Sequence, residues 1–217
     1  LEIRISNFEF LNFSSFIMNP ILRDFPDRFE TERLLIRAPR PGDGPMVYEA
    51  VMESLEQLKV WMPWAHQEMS PEIQEGISRQ MHVHFLARED LPLRLLKKDT
   101  GELVGGSGLH RFDWDVPRFE IGYWVRTKFE GQGYITEAVI GIANFAFEKL
   151  FAERVEIRMD ENNTRSWRVA ERAGFTLEGI LRNEARAVDG KLRDTRVYSM
   201  IRAEWLEKDT RRTTNDE

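Results

Sequence analysis

The chain has 217 residues, 41% of them apolar and 31% charged, the balance of one folded domain with tails and not of a disordered chain. Lys and Arg number 31 against 37 Asp and Glu, and the net charge of −6 is a poor match to nucleic acid, whose phosphates call for clustered cations. There is no cysteine, so disulfides, thiolate zinc sites and a cysteine nucleophile are excluded.

Residues 1–27 read as an N-terminal extension, flexible or expression-derived up to Met18. The segment Leu1 to Ile17 is aromatic-rich but lacks the basic start and small-residue cleavage site of a signal peptide. No apolar run reaches the roughly 20 residues of a membrane helix. No membrane partner is therefore expected, and the expected location is cytoplasmic. One domain is assigned to 28–205 and a polar tail to 206–217.

Within the domain, Glu32 to Ala38 reads as a first strand, and Pro39 to Gly44 as a loop. Met46 to Met62 carries apolar residues at helical spacing, with Trp61 and Trp64 near its end. Ser70-Pro71-Glu72 is a helix start, with a serine cap, proline in the first turn and an acidic residue behind it; that helix is predicted to reach Ala87. His82 and His84, two apart, share a face of a strand but not of a helix, so no metal site is expected there.

The middle is strand-rich. Leu93 to Lys97, Leu103 to His110 and Arg118 to Val125 form a predicted antiparallel meander. Gly105, Gly106 and Gly108 in its second strand call for a bulge or a close approach of backbone. A helix over Gly131 to Leu150, a strand over Arg154 to Met159 and a helix over Ser166 to Ala173 follow, the last stopped by Gly174. Thr176 to Val188 and Leu192 to Met200 flank Asp189-Gly190, a two-residue hairpin signal. The class is mixed α/β (α+β).

Two segments carry chemistry. In Gly131-Gln132-Gly133-Tyr134-Ile135-Thr136-Glu137-Ala138 a strand ends, two glycines follow and a long helix opens. The unpaired N–H groups and partial positive charge of a helix N-terminus bind phosphate, and glycine lets an anion come close. Alone, the pattern is also that of a tight strand–helix turn; it is neither a P-loop nor a dinucleotide fingerprint. The second segment, Asn163-Thr164-Arg165-Ser166, repeats the arrangement about 30 residues on and ends in Ala173-Gly174-Phe175.

With these motifs the chain resembles the GNAT superfamily of acetyltransferases, and within it the ribosomal-protein N-terminal acetyltransferases of RimJ/RimL type. Thr31-Glu32-Arg33-Leu34 is similar to that group's first strand and Glu120-Ile121-Gly122-Tyr123-Trp124-Val125 to its fourth. The glycine loop is similar to its pyrophosphate loop, and Asn163-x-x-Ser166 to its next helix start. One departure is Lys128, where the wider superfamily has Gln or Arg. The resemblance spans residues 28–205 and implies a central mixed, mostly antiparallel splayed sheet of about seven strands flanked by helices.

It also implies acetyl-CoA as co-substrate, with no metal, and transfer of acetyl to a primary amine, such as the N-terminus of a ribosomal protein. The implied cofactor-binding residues are Trp124, Val125, Lys128, Glu130, Gly131, Gln132, Gly133, Tyr134, Ile135, Thr136, Asn163 and Ser166. Amine attack on a thioester needs a base for the ammonium proton, a donor for the developing oxyanion and an acid for the leaving thiolate. The resemblance implies Glu120 for the base and Ser166 for the acid, with Tyr123 and Tyr198 in reserve. Each has a plainer alternative: Asn163 as a helix cap, Glu120 as a strand glutamate paired with an arginine such as Arg118, Ser166 as an ordinary helix serine. Trp61, Trp64, Met52, Met62 and Met69 are expected to wall the acceptor cleft or to be core. A small-molecule amine acetyltransferase and a non-catalytic acyl-CoA sensor remain open, as do monomer and homodimer. Phe13 and Phe16 are the residues expected to pack on a partner.

Overall fold

A computed structural model describes residues 19–213, with side chains through Lys208; the extension before Asn19, Phe13 and Phe16 included, lies outside the described residues. Strands β1 (Arg28–Glu30), β2 (Leu34–Arg37), β3 (Leu91–Lys97), β4 (Leu103–Asp113), β5 (Arg118–Val125), β6 (Arg154–Asp160), β7 (Thr176–Arg186) and β8 (Leu192–Ile201) form one sheet in the order β1-β2-β3-β4-β5-β6-β8-β7. Helices are α1 (Gly44–Trp61), α2 (Pro71–Ala87), α3 (Tyr134–Lys149), α4 (Thr164–Arg172) and α5 (Arg202–Thr213). The fold is the expected mixed, mostly antiparallel sheet flanked by helices, with β1 added as an eighth strand at the edge.

Helices lie on both faces. On one, Val139, Ile142 and Ala146 of α3 pack with Leu93, Leu109, Ile121 and Ile157. On the other, Val47, Val51 and Leu58 of α1 pack with Leu96, Leu103 and Trp124. Strand β3 sits between these layers and is buried from Leu91 to Leu96, which explains why it reads as a nearly continuous apolar run.

Several boundaries differ from the sequence expectation, each for a local reason. Gly131 and Gly133 take positive φ (+71° and +81°), so α3 begins only at Tyr134. The Asn163 side chain accepts the Ser166 N–H at 3.1 Å and starts α4 two residues early. The Asp189-Gly190 signal does make a hairpin, but with a longer turn: Gly190 N–H donates to Ala187 O at 2.9 Å, with Gly190 at φ +82°. The end of the chain read as a polar tail, yet α5 forms there. Glu204 accepts the Ile201 N–H in the manner of a capping box, and Trp205 stacks on Phe147 with centroids 5.4 Å apart.

The feature that shapes the site is the junction of β5 and β6. The two strands are the parallel pair in the sheet, and they pair only from Arg118↔Arg154 to Glu120↔Glu156. Past Glu120 they separate, and β6 continues along β8 while β5 continues along β4. The backbone of Ile121 to Val125 thus has a free edge facing the gap.

Candidate active site

Two helix starts face this gap. Gly133 caps α3 with no side chain bonded to the first-turn N–H groups, and Gly131 stands in open space. The loop is held from both sides. Before it, buried Arg126 bonds Glu49 and Glu53 of α1 at 2.6 and 2.8 Å, and Thr127 N–H donates to Ser54 Oγ at 2.9 Å. After it, the Glu137 carboxylate accepts from Thr31 Oγ1 (2.6 Å), Arg33 N (2.7 Å) and Arg33 Nε (2.6 Å), while Arg33 Nη1 reaches Gln132 O at 3.1 Å. Desolvation would push the Glu137 carboxyl up, but these hydrogen bonds hold it below its ordinary value. The same bonds close a turn at Thr31–Arg33, which is why the strand predicted from Glu32 begins only at Leu34.

The loop therefore presents bare N–H groups from a fixed backbone, the arrangement that receives an anion without reorganising. The other predicted loop residues have partners of their own. Glu130 pairs with Arg165 at 2.7 Å, and Thr136 Oγ1 accepts from Arg172 Nε at 3.3 Å. Tyr134 lies under the Arg33 guanidinium, and Ile135 is buried. The Lys128 ammonium is turned to the Glu102 carboxylate, so its charge is spent on a protein partner.

Tyr123 and Ser166 meet across the gap. The Tyr123 hydroxyl is 3.0 Å from both the Ser166 carbonyl and Ser166 Oγ. Burial pushes the Tyr123 phenol up to about 12, so it keeps its proton at neutral pH and has one to donate. Tyr198, the other reserve acid, is buried on β8 and donates to Glu171 at 3.2 Å; it does not line the cleft. Asn163 serves as the α4 cap, and it also lines the gap.

Glu120 lies on the opposite face of β5, at the point of separation. Its partner is Arg111, at 3.2 Å, and not Arg118, which turns to Asp113 at 3.9 Å. A register shift in β4 between His110 and Asp113, with Arg111 at φ +44°, turns Arg111 toward it. Desolvation raises the Glu120 carboxyl above its ordinary value, against the pull of Arg111.

A cleft of roughly 1620 Å³ runs from the α1–α2 wall across β5 to α4, lined by Tyr123, Asn163, Ser166 and Arg111, with Glu120 outside its lining and paired to Arg111. Trp61, Trp64, Met62 and Met69 line it, Trp64 edge-on to Trp124 at 6.3 Å; Met52 lies exposed outside it. Its floor is glycine. Gly106, Gly108 and Gly122 fall on one face of β4–β5, and a Cβ on Gly106 would come within 2.4 Å of the Trp124 indole. This is the close approach that the glycines of β4 called for. His110 lies on the same floor, a residue whose place the sequence reading did not find. The alternation Gly106-x-Gly108-x-His110 is the signal that would have put it there. His82 and His84 are on α2; His82 Nδ1 meets Pro39 O at 2.8 Å and His84 Nδ1 meets Glu89 at 2.9 Å.

A sheet parted beside one strand, with the uncapped start of α3 on one face and a walled cleft on the other, defines the class as an acyltransferase fold. The family model described as "Acetyltransferase (GNAT) domain" matches residues 33–176, and the chain belongs to this family of N-acetyltransferases. It is related to ribosomal-protein acetyltransferases. YdaF of Bacillus subtilis (strain 168), named as a candidate ribosomal N-acetyltransferase, is 32% identical over 175 residues, 80% of this chain and 94% of its own. Two solved structures share the fold. One is RimL, a ribosomal L7/L12 alpha-N-protein acetyltransferase in complex with coenzyme A, with TM-score 0.74, 20% identity, and 80% and 97% of the two chains covered. The other is the microcin C7 self-immunity acetyltransferase MccE in complex with acetyl-CoA and AMP, with TM-score 0.76, 21% identity, and 82% and 97% covered. Among the described residues no helix is long and apolar enough to cross a membrane.

Proposed function

We propose that this enzyme transfers acetyl from acetyl-CoA to the N-terminal amine of a basic protein, a ribosomal protein being the leading acceptor. The observation that carries the reading is the parted β5–β6 junction, with the uncapped start of α3 on one face and, on the other, a walled cleft that reaches His110 and Arg111, the strand neighbour and the ion-pair partner of Glu120. The free edge of Tyr123 to Val125 suits the amide groups of a pantetheine arm, which would add to it like a short strand. The N–H groups from Gly131 to Thr136 suit the pyrophosphate, and the side chain of Asn163 suits the arm beyond it.

Across the strand, Glu120 is the charge that draws an ammonium group to the thioester carbonyl. Its raised carboxyl is poised closer to neutral pH than an ordinary glutamate. The ammonium first gives up one proton to a base in the cleft, which passes it to solvent. The amine then forms a C–N bond and the C–S bond breaks; the thiolate takes a proton from the hydroxyl pair of Tyr123 and Ser166, and the second proton released from the new amide nitrogen restores that pair through solvent. Support for a protein acceptor comes from the names of YdaF and RimL, from the width of the cleft and from the net charge of −6, which favours basic partners. A second reading, a small-molecule amine, is favoured by the indoles of Trp64 and Trp124 at the cleft wall, a surface suited to a flat or cationic ligand.

The test is release of CoA from acetyl-CoA with two acceptor sets: peptides bearing ribosomal-protein N-termini, and polyamines with aminoglycosides. Turnover with peptides alone is expected. Turnover with small amines alone would move the acceptor to the second reading. Tight acetyl-CoA binding with no release for either set would speak for a sensor.

A further inference from the structure

The floor of the acceptor cleft carries a second titratable group, beside Glu120. His110 pairs with Glu120 across β4–β5, so both side chains leave the sheet on the acceptor face. The His110 ring lies flat on the glycine floor. A Cβ on Gly108 would come within 2.6 Å of its Cε1 and Nε2, and one on Gly122 within 3.2 Å of its Cδ2. Two glycines facing each other across a strand pair leave the space that the imidazole fills. Gly122 adjoins Tyr123, where the free strand edge begins to receive the donor.

The ring is also held in one tautomer. Asp90, in the turn between α2 and β3, meets His110 Nδ1 at 2.7 Å. A carboxylate there keeps the proton on Nδ1, so Nε2 carries the lone pair. Among the described residues Nε2 has no hydrogen-bond partner, and His110 lines the cleft with a third of its side chain exposed. A histidine oriented by a carboxylate, with its other nitrogen free over a reaction site, has the geometry of a general base.

We infer that His110 Nε2 takes the proton of the acceptor ammonium, and that Asp90 is the positioning residue that holds it for that task. This rests on the acetyltransferase reading above and divides its acceptor side into two roles. Glu120 brings the cation in by charge. The N–H bond of the ammonium breaks, the proton moves to Nε2, and the electron pair left on nitrogen attacks the thioester carbon. The imidazolium formed is stabilised by Asp90 and Glu120, and it returns its proton to solvent through the open cleft. Charged groups bearing on the ring are Asp90, Glu120 and Arg111, with Glu156 and Arg158 of β6 acting on Glu120 across the junction.

The test compares the wild type with His110→Ala, His110→Gln, Asp90→Asn and Glu120→Gln, using the acceptor that the wild type acetylates best. Both His110 variants are expected to lose about a hundredfold in kcat, the scale of a positioned base. The Kd for acetyl-CoA should not change. Added imidazole should restore His110→Ala in part and leave Glu120→Gln unaffected. Glu120→Gln should raise the acceptor KM more than it lowers kcat. Asp90→Asn should lose about tenfold in kcat while the acceptor KM stays at the wild-type value. His110→Gln keeps a polar group for Asp90 and guards against a folding defect. A folded His110→Ala with wild-type kcat, or a loss that imidazole does not restore, would overturn the assignment and leave the acetyltransferase reading standing. A wild type inactive on every acceptor would overturn both.

Discussion

The two sides of β5 are built from different materials. On the proposed donor side the groups on offer are backbone: the uncapped N–H groups at the α3 start and the free edge of Ile121 to Val125. On the acceptor side they are side chains, Glu120, His110, Asp90, Trp61 and Trp64, from four separate stretches of the sequence. Backbone recognition needs particular φ values and bare surface, which only certain residues allow. It therefore leaves glycines at fixed spacing. Side-chain recognition needs only that distant positions meet, and it leaves little pattern.

This difference predicts that changes on one side spare the other. Glu120→Gln carries the largest expected effect, a loss of about a hundredfold in kcat/KM for the acceptor at neutral pH. Because burial raises this carboxyl, activity that needs the carboxylate falls as pH drops through its folded value, and the variant should lack that limb. Folding disfavours the carboxylate, so the stability that this group contributes declines as pH rises from its ordinary 4.5 through the folded value. Replacement by Gln should accordingly leave the melting temperature at pH 7 unchanged or higher, and a lowered one would assign the loss to misfolding. An unchanged rate would remove Glu120 from the acceptor side.

Ser166→Ala is the finer probe. It removes one hydroxyl of the Tyr123–Ser166 pair but leaves the Ser166 carbonyl that also accepts from Tyr123 at 3.0 Å. About tenfold to a hundredfold in kcat should be lost, with the acceptor KM unmoved. Full activity would reduce Ser166 to a helix residue.

The same contrast explains what could be read before the structure. The loop of Gly131 and Gly133, the Asn163 cap and the β5 strand were legible because turn geometry dictates residue type there. The strand count fell one short because Arg28 to Glu30 is a three-residue edge strand, set apart by a turn that Glu137 closes from more than 100 residues away. No local pattern encodes that clamp. Helix α5 was missed because its stability comes from Trp205 on Phe147, a tertiary contact, against a polar local composition. Lys128 was among the residues that the resemblance implied for the cofactor, and its ion pair with Glu102, 26 residues earlier, leaves no mark in the local sequence. His110 was read only as the end of a strand. Its carboxylate partner is 20 residues earlier, and its resting place is defined by what Gly108 and Gly122 lack.

The most direct test of the division is a calorimetric titration of acetyl-CoA into the wild type, Gly133→Val and Glu120→Gln. Gly133 sits at φ +81°, where a β-branched residue is strained by about 1–2 kcal/mol and must move the bare N–H groups. The account predicts that Gly133→Val weakens acetyl-CoA about tenfold or more, while Glu120→Gln binds it as the wild type does. Equal affinity for Gly133→Val and the wild type would contradict the claim that the donor is held by the backbone of this loop.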